Sequence, residues 1–301
     1  MQKYRLSIGF ILLCLIWSST WLFIKLGLET MPPFFSAGIR FTFASLLLFL
    51  YSKKLKLPFP TDLKSHKFFL LFSFSIFTIS YGLVYWGEQY INSGLTSVLF
   101  SVMPFYTALL AIKMLPSEHI TKRKMTGILA GISGAVIIFN DQLHFDHSFS
   151  LLGMIAVLLS PFFSSYGTLT AKKASQTYHP VILNIMPMFY AGIIFLITSF
   201  ITENPQSIQL TRMGAFSIFY LAVVGTATAF VVYFWMLKNT SAILMSSITF
   251  ITPPLALIWG WIFLGEQVTW WLVLGMIVVF TGIYFVRDPK PRVAVSTISK
   301  I

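Results

Sequence analysis

Long apolar runs separated by short polar links make up almost the whole chain. The runs cover about Leu6 to Ile24, Pro33 to Tyr51, Phe68 to Gly87, Ser93 to Met114, Met125 to Phe139, Phe149 to Ala171, Val181 to Ile201, Met213 to Leu237, Ala242 to Leu264 and Trp270 to Val286. Most approach the roughly 17–25 residues that a helix needs to cross a bilayer, the fifth and tenth being shorter. The pattern predicts an all-α integral membrane protein with ten transmembrane helices. The first run follows Lys3 and Arg5. It exceeds the roughly 7–15-residue apolar core of a secretory leader and no small-x-small cleavage site follows, so it reads as the first spanning helix.

The runs repeat. Glu118, Thr121, Gly127 and Gly134 return as Glu266, Thr269, Gly275 and Gly282, each 148 residues on, and the same offset relates Tyr85 to Tyr233 and Ser93 to Ser241. Pro104 and the Pro253-Pro254 pair match within one or two residues. Self-similarity at one spacing predicts two copies of one unit, with boundaries at 1–143 and 144–287 and a basic tail over 288–301.

Charge then orients the units. Eighteen of the 21 Lys and Arg residues fall at the termini and in the links after the even-numbered runs. Lys25 and Arg212 lie on the other side and Arg40 lies within the second run. Cytoplasmic loops carry the excess of Lys and Arg, so both termini are expected to be cytoplasmic. Five helices per unit then insert the second unit in the opposite sense, giving two inverted five-helix repeats. Only 10% of residues are charged, against roughly 25% in soluble domains. The net charge of +12 follows from topology and anionic lipid, so no nucleic-acid partner is expected.

Several stretches resemble the EamA-type transporters of the drug/metabolite transporter superfamily. They are Tyr85-Trp86-Gly87-Glu88-Gln89-Tyr90-Ile91-Asn92-Ser93-Gly94-Leu95, then Met103-Pro104-Phe105 and Glu118, together with Trp17-Ser18-Ser19-Thr20-Trp21, Lys25, Pro33 and Arg40. The resemblance runs through both copies, over about residues 6 to 287. It implies a ten-helix, inverted-repeat carrier of the cytoplasmic (inner) membrane that exports amino acids or other small metabolites. The copies differ, since Pro187 stands where Arg40 would repeat and Met236 where Glu88 would.

Inverted repeats place a site at their interface, where helices are interrupted at matching depth. Pro104 and Pro253 each lie 12 residues into their runs, roughly 18 Å deep at 1.5 Å per residue. Proline leaves a carbonyl four residues earlier without its helical partner, so Phe100, Thr249 and Phe250 are expected to face a substrate path. Trp17 and Trp21, like Tyr81 and Tyr85, share a helix face at i,i+4 spacing. Aromatic rings of this kind suit a cavity for amphipathic molecules. The expected path residues are Trp17, Tyr81, Tyr85, Phe100, Ser101, Pro104, Ser164, Tyr166, Tyr233, Thr249, Phe250 and Pro253. Arg40 and Glu88 are expected to pair or jointly close the outer mouth.

No Gly-x4-Gly-Lys-Ser/Thr loop and no intramembrane His, Asp and Ser constellation occurs. No catalytic residue, cofactor or metal is therefore assigned, and a membrane-embedded enzyme ranks below a carrier. A lipid-head-group flippase is the nearer alternative. Asp141, His144, Asp146 and His147 read as a polar turn rather than a metal site. The glycines of the fifth and tenth runs read as close packing, within a unit or between the protomers of a possible homodimer. The expected partners are a small-molecule substrate and membrane lipid.

Overall fold

A computed structural model describes residues 2–114, 122–142, 148–240, 242, 245 and 247–286, which include helices but no strand. In chain order the helices are α1 (Gln2–Leu28), α2 (Pro33–Lys54), α3 (Leu63–Glu88), α4 (Ser93–Met114), α5 (Lys122–Gln142), α6 (Ser148–Ala174), α7 (Ile182–Thr202), α8 (Arg212–Asn239), α9 (Thr252–Leu264) and α10 (Trp270–Val286). Seven of them, α1 to α4 and α6 to α8, are long and apolar enough to cross a membrane. Shorter apolar stretches lie in α5, α9 and α10. The expected Glu118, Thr121 and Ser241 matches and the Asp146, His144 and His147 turn fall outside the described residues.

Contacts between helix ends define a face that we call the far face, where α1 ends. The Glu203 carboxylate, just past α7, accepts from the Phe34 and Phe35 amides at the start of α2 (2.7 and 2.9 Å). Glu266, past α9, accepts from Ser93 and Gly94 at the start of α4 (2.7 and 3.0 Å). Both acids satisfy orphan amides at the positive end of a helix. Gly265 turns the chain toward that contact with φ 64°, a left-handed conformation that costs an L side chain roughly 1–2 kcal/mol.

Close packing relates the two units as a pair. A Cβ on Gly134 would come 2.8 Å from the carbonyl oxygen of Gly275, and one on Gly282 would come 2.5 Å from that of Gly127. The glycine stripes therefore hold α5 against α10 of the same chain, across the repeats rather than within a unit. In α2 and α7 the reciprocal contacts are Gly38 on Leu196 and Gly192 on Thr42. That register aligns Ala37-Gly38-Ile39-Arg40-Phe41 with Ala191-Gly192-Ile193-Ile194-Phe195. Ile194, not Pro187, is thus the counterpart of Arg40, because the connection from Lys172 to Gly192 is longer than that from Lys25 to Gly38, and a shorter stretch from Gly192 to the end of α8 largely restores the register.

Each unit interrupts the same two helices. In α3 residues Phe74–Ile79 are π-helical and in α8 residues Leu221–Thr228 are. α4 breaks at Ser101 and Val102, and Met103-Pro104 starts its second half. In the second unit a 3₁₀ turn, Ser247–Phe250, precedes α9, whose first positions hold Pro253 and Pro254. The prolines stand where the lost N–H is an orphan in any case, so they begin helical halves instead of kinking a continuous helix.

Candidate functional site

Lys25 and Lys172, 147 residues apart, end α1 and α6 in the same way, and α6 runs away from the far face, its Gly153 packing on Gly87 and its Gly167 on Ile76 of α3. Lys25 Nζ donates to the carbonyls of Glu88, Gln89 and Ile91 (2.8, 3.4 and 2.8 Å) beyond α3. Lys172 Nζ donates to those of Leu237, Lys238 and Thr240 (2.7, 3.3 and 2.5 Å) beyond α8. Each ammonium satisfies carbonyls orphaned at a helix end. The three carbonyls of one set lie 149 residues from those of the other. The sequence offset of 148 is therefore one residue short at this end of α3 and α8.

Between α1, α3, α4, α6, α8 and the segment entering α9 lies a cavity of about 80 Å³. The register set by the lysines pairs much of its wall. Trp17 faces Ser164 and Trp21 faces Thr168 as counterparts on α1 and α6. Tyr81 with Phe230, Val84 with Tyr233, Phe100 with Thr249 and Met103 with Thr252 complete six pairs. Positions at matching register in the two halves of the chain therefore line one cavity. The pairs are unequal, for in three of the six, Trp17–Ser164, Trp21–Thr168 and Phe100–Thr249, a ring is matched with a hydroxyl residue.

Ring contacts hold the aromatic residues of the wall together. Trp17 lies 5.5 Å from Phe230 and 5.1 Å from Tyr233, and Trp21 lies 5.4 Å from Phe100, centroid to centroid. Several hydroxyls of the wall are engaged with one another. Ser80 Oγ bonds Ser164 Oγ (2.6 Å), and Thr168 Oγ1 bonds Tyr233 OH (3.0 Å). The π-helical turn of α8 supplies the Gly225 carbonyl that accepts from Trp17 Nε1 (3.3 Å). Trp21 Nε1 is buried and finds no partner among the described residues. A buried indole N–H without an acceptor is costly.

Of the twelve path residues expected from sequence, Trp17, Tyr81, Phe100, Ser164, Tyr233 and Thr249 line this cavity. Ser101 is buried and donates to Val98 O (2.6 Å), while Pro104 and Pro253 each stand one residue past a lining residue. Phe250 packs on Phe280 at 5.7 Å instead. Tyr166 is 46% exposed, because two helical positions past Ser164 turn it about 200° away. Thr20, Ser80, Met103, Thr168, Phe230 and Thr252 line the wall without having been expected. The i,i+4 step from Ser164 would have found Thr168, and the i,i+3 step back from Tyr233 would have found Phe230.

Tyr85 stands behind that wall. Its hydroxyl accepts from Arg40 Nη1 (3.2 Å), while Arg40 Nε donates to Thr226 Oγ1 (2.7 Å). The guanidinium also lies 5.1 Å from the Tyr81 ring, a cation–π contact that strengthens when water is excluded. Arg40 is 1% exposed and Glu88 is fully buried, yet neither Glu88 carboxyl oxygen has a hydrogen-bond partner among the described residues. The expected Arg40–Glu88 pair is therefore not made. Tyr85, about one turn before Glu88, takes the guanidinium in its place.

Sequence comparison decides the family. The model of the EamA-like transporter family matches twice, over residues 6–140 and 151–287. The chain belongs to the EamA-like transporter family. Transporter YoaV of Bacillus subtilis is 29% identical over 93% of this chain and 96% of its own length. Protein PagO of Salmonella typhimurium is 27% identical over 85% of this chain and 84% of its own, and inner membrane transporter YedA of Escherichia coli is 28% identical over 88% and 86%. A crystal structure only 13% identical superposes with a TM-score of 0.69 over 95% of this chain and 98% of that one, a likeness of fold. The EamA membership and the apolar helices make this a multi-pass membrane transporter rather than an enzyme.

Proposed function

We propose that the chain is a secondary carrier or facilitator of the cytoplasmic membrane that exports amino acids or similar small amphipathic metabolites by alternating access. In this reading ten helices form two inverted repeats, 1–143 and 144–287, both termini and the 288–301 tail are cytoplasmic, and the far face is external. The observation that carries it is the cavity lined by counterpart residues of the two units, since rocking one repeat against the other exposes a site on the axis to each side in turn. The inner-membrane location draws support from the name of the Escherichia coli relative.

The wall chemistry favours a small cargo. Its rings offer an apolar surface suited to a small amphipathic molecule. About 80 Å³ is well below the roughly 300–1,000 Å³ of sites that hold drug-sized ligands, so the described state holds its cargo tightly or must open to admit it. Proteoliposome uptake against a panel of aliphatic, hydroxylated and aromatic amino acids tests the reading. Saturable uptake of at least one panel member is expected, and none above that of empty liposomes would refute it.

A further inference from the structure

Glu88 ends α3 at the far face, fully buried, with both carboxyl oxygens unpartnered among the described residues. The charged groups facing it are Lys25 of α1, Arg40 of α2 and Glu266 beyond α9. α3 itself brings Tyr85, whereas α4 from Ser93 to Phe100 and α6 from Ser148 to Val157 bring no titratable side chain. Both cations have other hydrogen-bond partners, for Lys25 takes backbone carbonyls and Arg40 takes Thr226 and Tyr85. A buried carboxyl beside two cations, bonded to neither, is poised differently in its two protonation states. Ionised, it attracts Lys25 and Arg40 and so holds α1 and α2 onto the end of α3. Neutral, it releases that attraction and gains an O–H to donate.

We propose that Glu88 is a proton-binding site whose loading opens the far face of the cavity. The proton comes from water at that face, a carboxylate lone pair forms the O–H bond, and the local charge rises by one with no other bond made or broken. The links from Glu88 to the cargo space are short in sequence, since Val84 and Tyr81 on the same helix line the cavity. The inference rests on the alternating-access reading above but not on any particular cargo.

Two measurements on the full-length protein in liposomes test it, and neither needs a transported substrate. Infrared spectra are expected to show a carboxylic-acid carbonyl band that converts to carboxylate as pH rises and is missing from Glu88→Gln. A wild-type spectrum without that band, or a Glu88→Gln spectrum that keeps it, overturns the proposal. The second measurement uses Thr252→Cys in a Cys14→Ala background, labelled by a membrane-impermeant maleimide from outside and normalised to a free thiol at the same pH. Labelling is expected to be severalfold faster in mildly acidic than in mildly alkaline buffer, and to lose that dependence when Glu88→Gln is added. Equal rates at both pH values, or an undiminished dependence with Glu88→Gln, overturn the coupling. A panel with no transported member would count against the carrier reading and leave both measurements valid.

Discussion

Gly134 and Gly275 lie backbone against backbone, so that a Cβ on the first would come 2.8 Å from the carbonyl oxygen of the second, and one on the second 3.0 Å from that of the first. In lipid, helices associate through such close approach and not through water exclusion. Overpacking a contact of this kind costs about 1–3 kcal/mol. Gly134→Ala and Gly275→Ala are each expected to lower the unfolding temperature of the detergent-solubilised protein. The exposed-face change Ile132→Ala, at a residue 57% exposed, is expected to leave it nearly unchanged.

Lys172 caps three carbonyls beyond α8 as Lys25 does beyond α3. Methionine keeps an unbranched stem but removes the donors, and hydrogen bonds to a charged group are worth about 1.5–3 kcal/mol each. Lys172→Met is therefore expected to raise amide hydrogen exchange over the last turn of α8, and Lys25→Met over the last turn of α3. Exchange that stays at wild-type rates in either variant would show the caps to be energetically silent.

Glu266 closes the start of α4 from the other unit. Glu266→Ala orphans the Ser93 and Gly94 amides, at about 1–3 kcal/mol for each buried donor left unsatisfied. A lowered unfolding temperature is expected, with Glu266→Gln intermediate because its amide retains one acceptor oxygen. Equal losses in the two variants would mean that the carboxylate acts by charge alone.

Arg40 is held by Tyr85 and Thr226 with no carboxylate within bonding reach among the described residues. Tyr85→Phe and Thr226→Val should each destabilise by about 1–3 kcal/mol, because each leaves a buried guanidinium donor unpaired. Against an Arg40→Met background the same changes should cost far less. A double-mutant cycle with no coupling would remove Arg40 from this network.

The fold was largely legible because its signals are linear. Apolar run length marks α1 to α4 and α6 to α8, and a fixed offset in glycines marks the α5–α10 contact that the structure makes. What one offset could not convey is that the register slips by a residue at the end of α3 and α8. There the π-helical turns change the count of residues per turn. Tyr85 and Tyr233 look equivalent in sequence, but Tyr85 turns to Arg40 and Tyr233 to Thr168 and the cavity. Glu203 left no trace in the repeat because no acidic residue stands at the corresponding end of α2, where the chain reads Tyr51-Ser52-Lys53-Lys54.

If the cavity is the route of transport, filling it must stop uptake. The Thr252→Cys variant in the Cys14→Ala background offers a reversible plug. A benzyl thiosulfonate attached to the introduced thiol adds more bulk than about 80 Å³ can share with a cargo. Uptake of whichever panel amino acid the unmodified variant transports should fall to the level of empty liposomes on complete modification and return when the disulfide is reduced. Full uptake with the introduced thiol demonstrably modified in every molecule would contradict a path through this cavity.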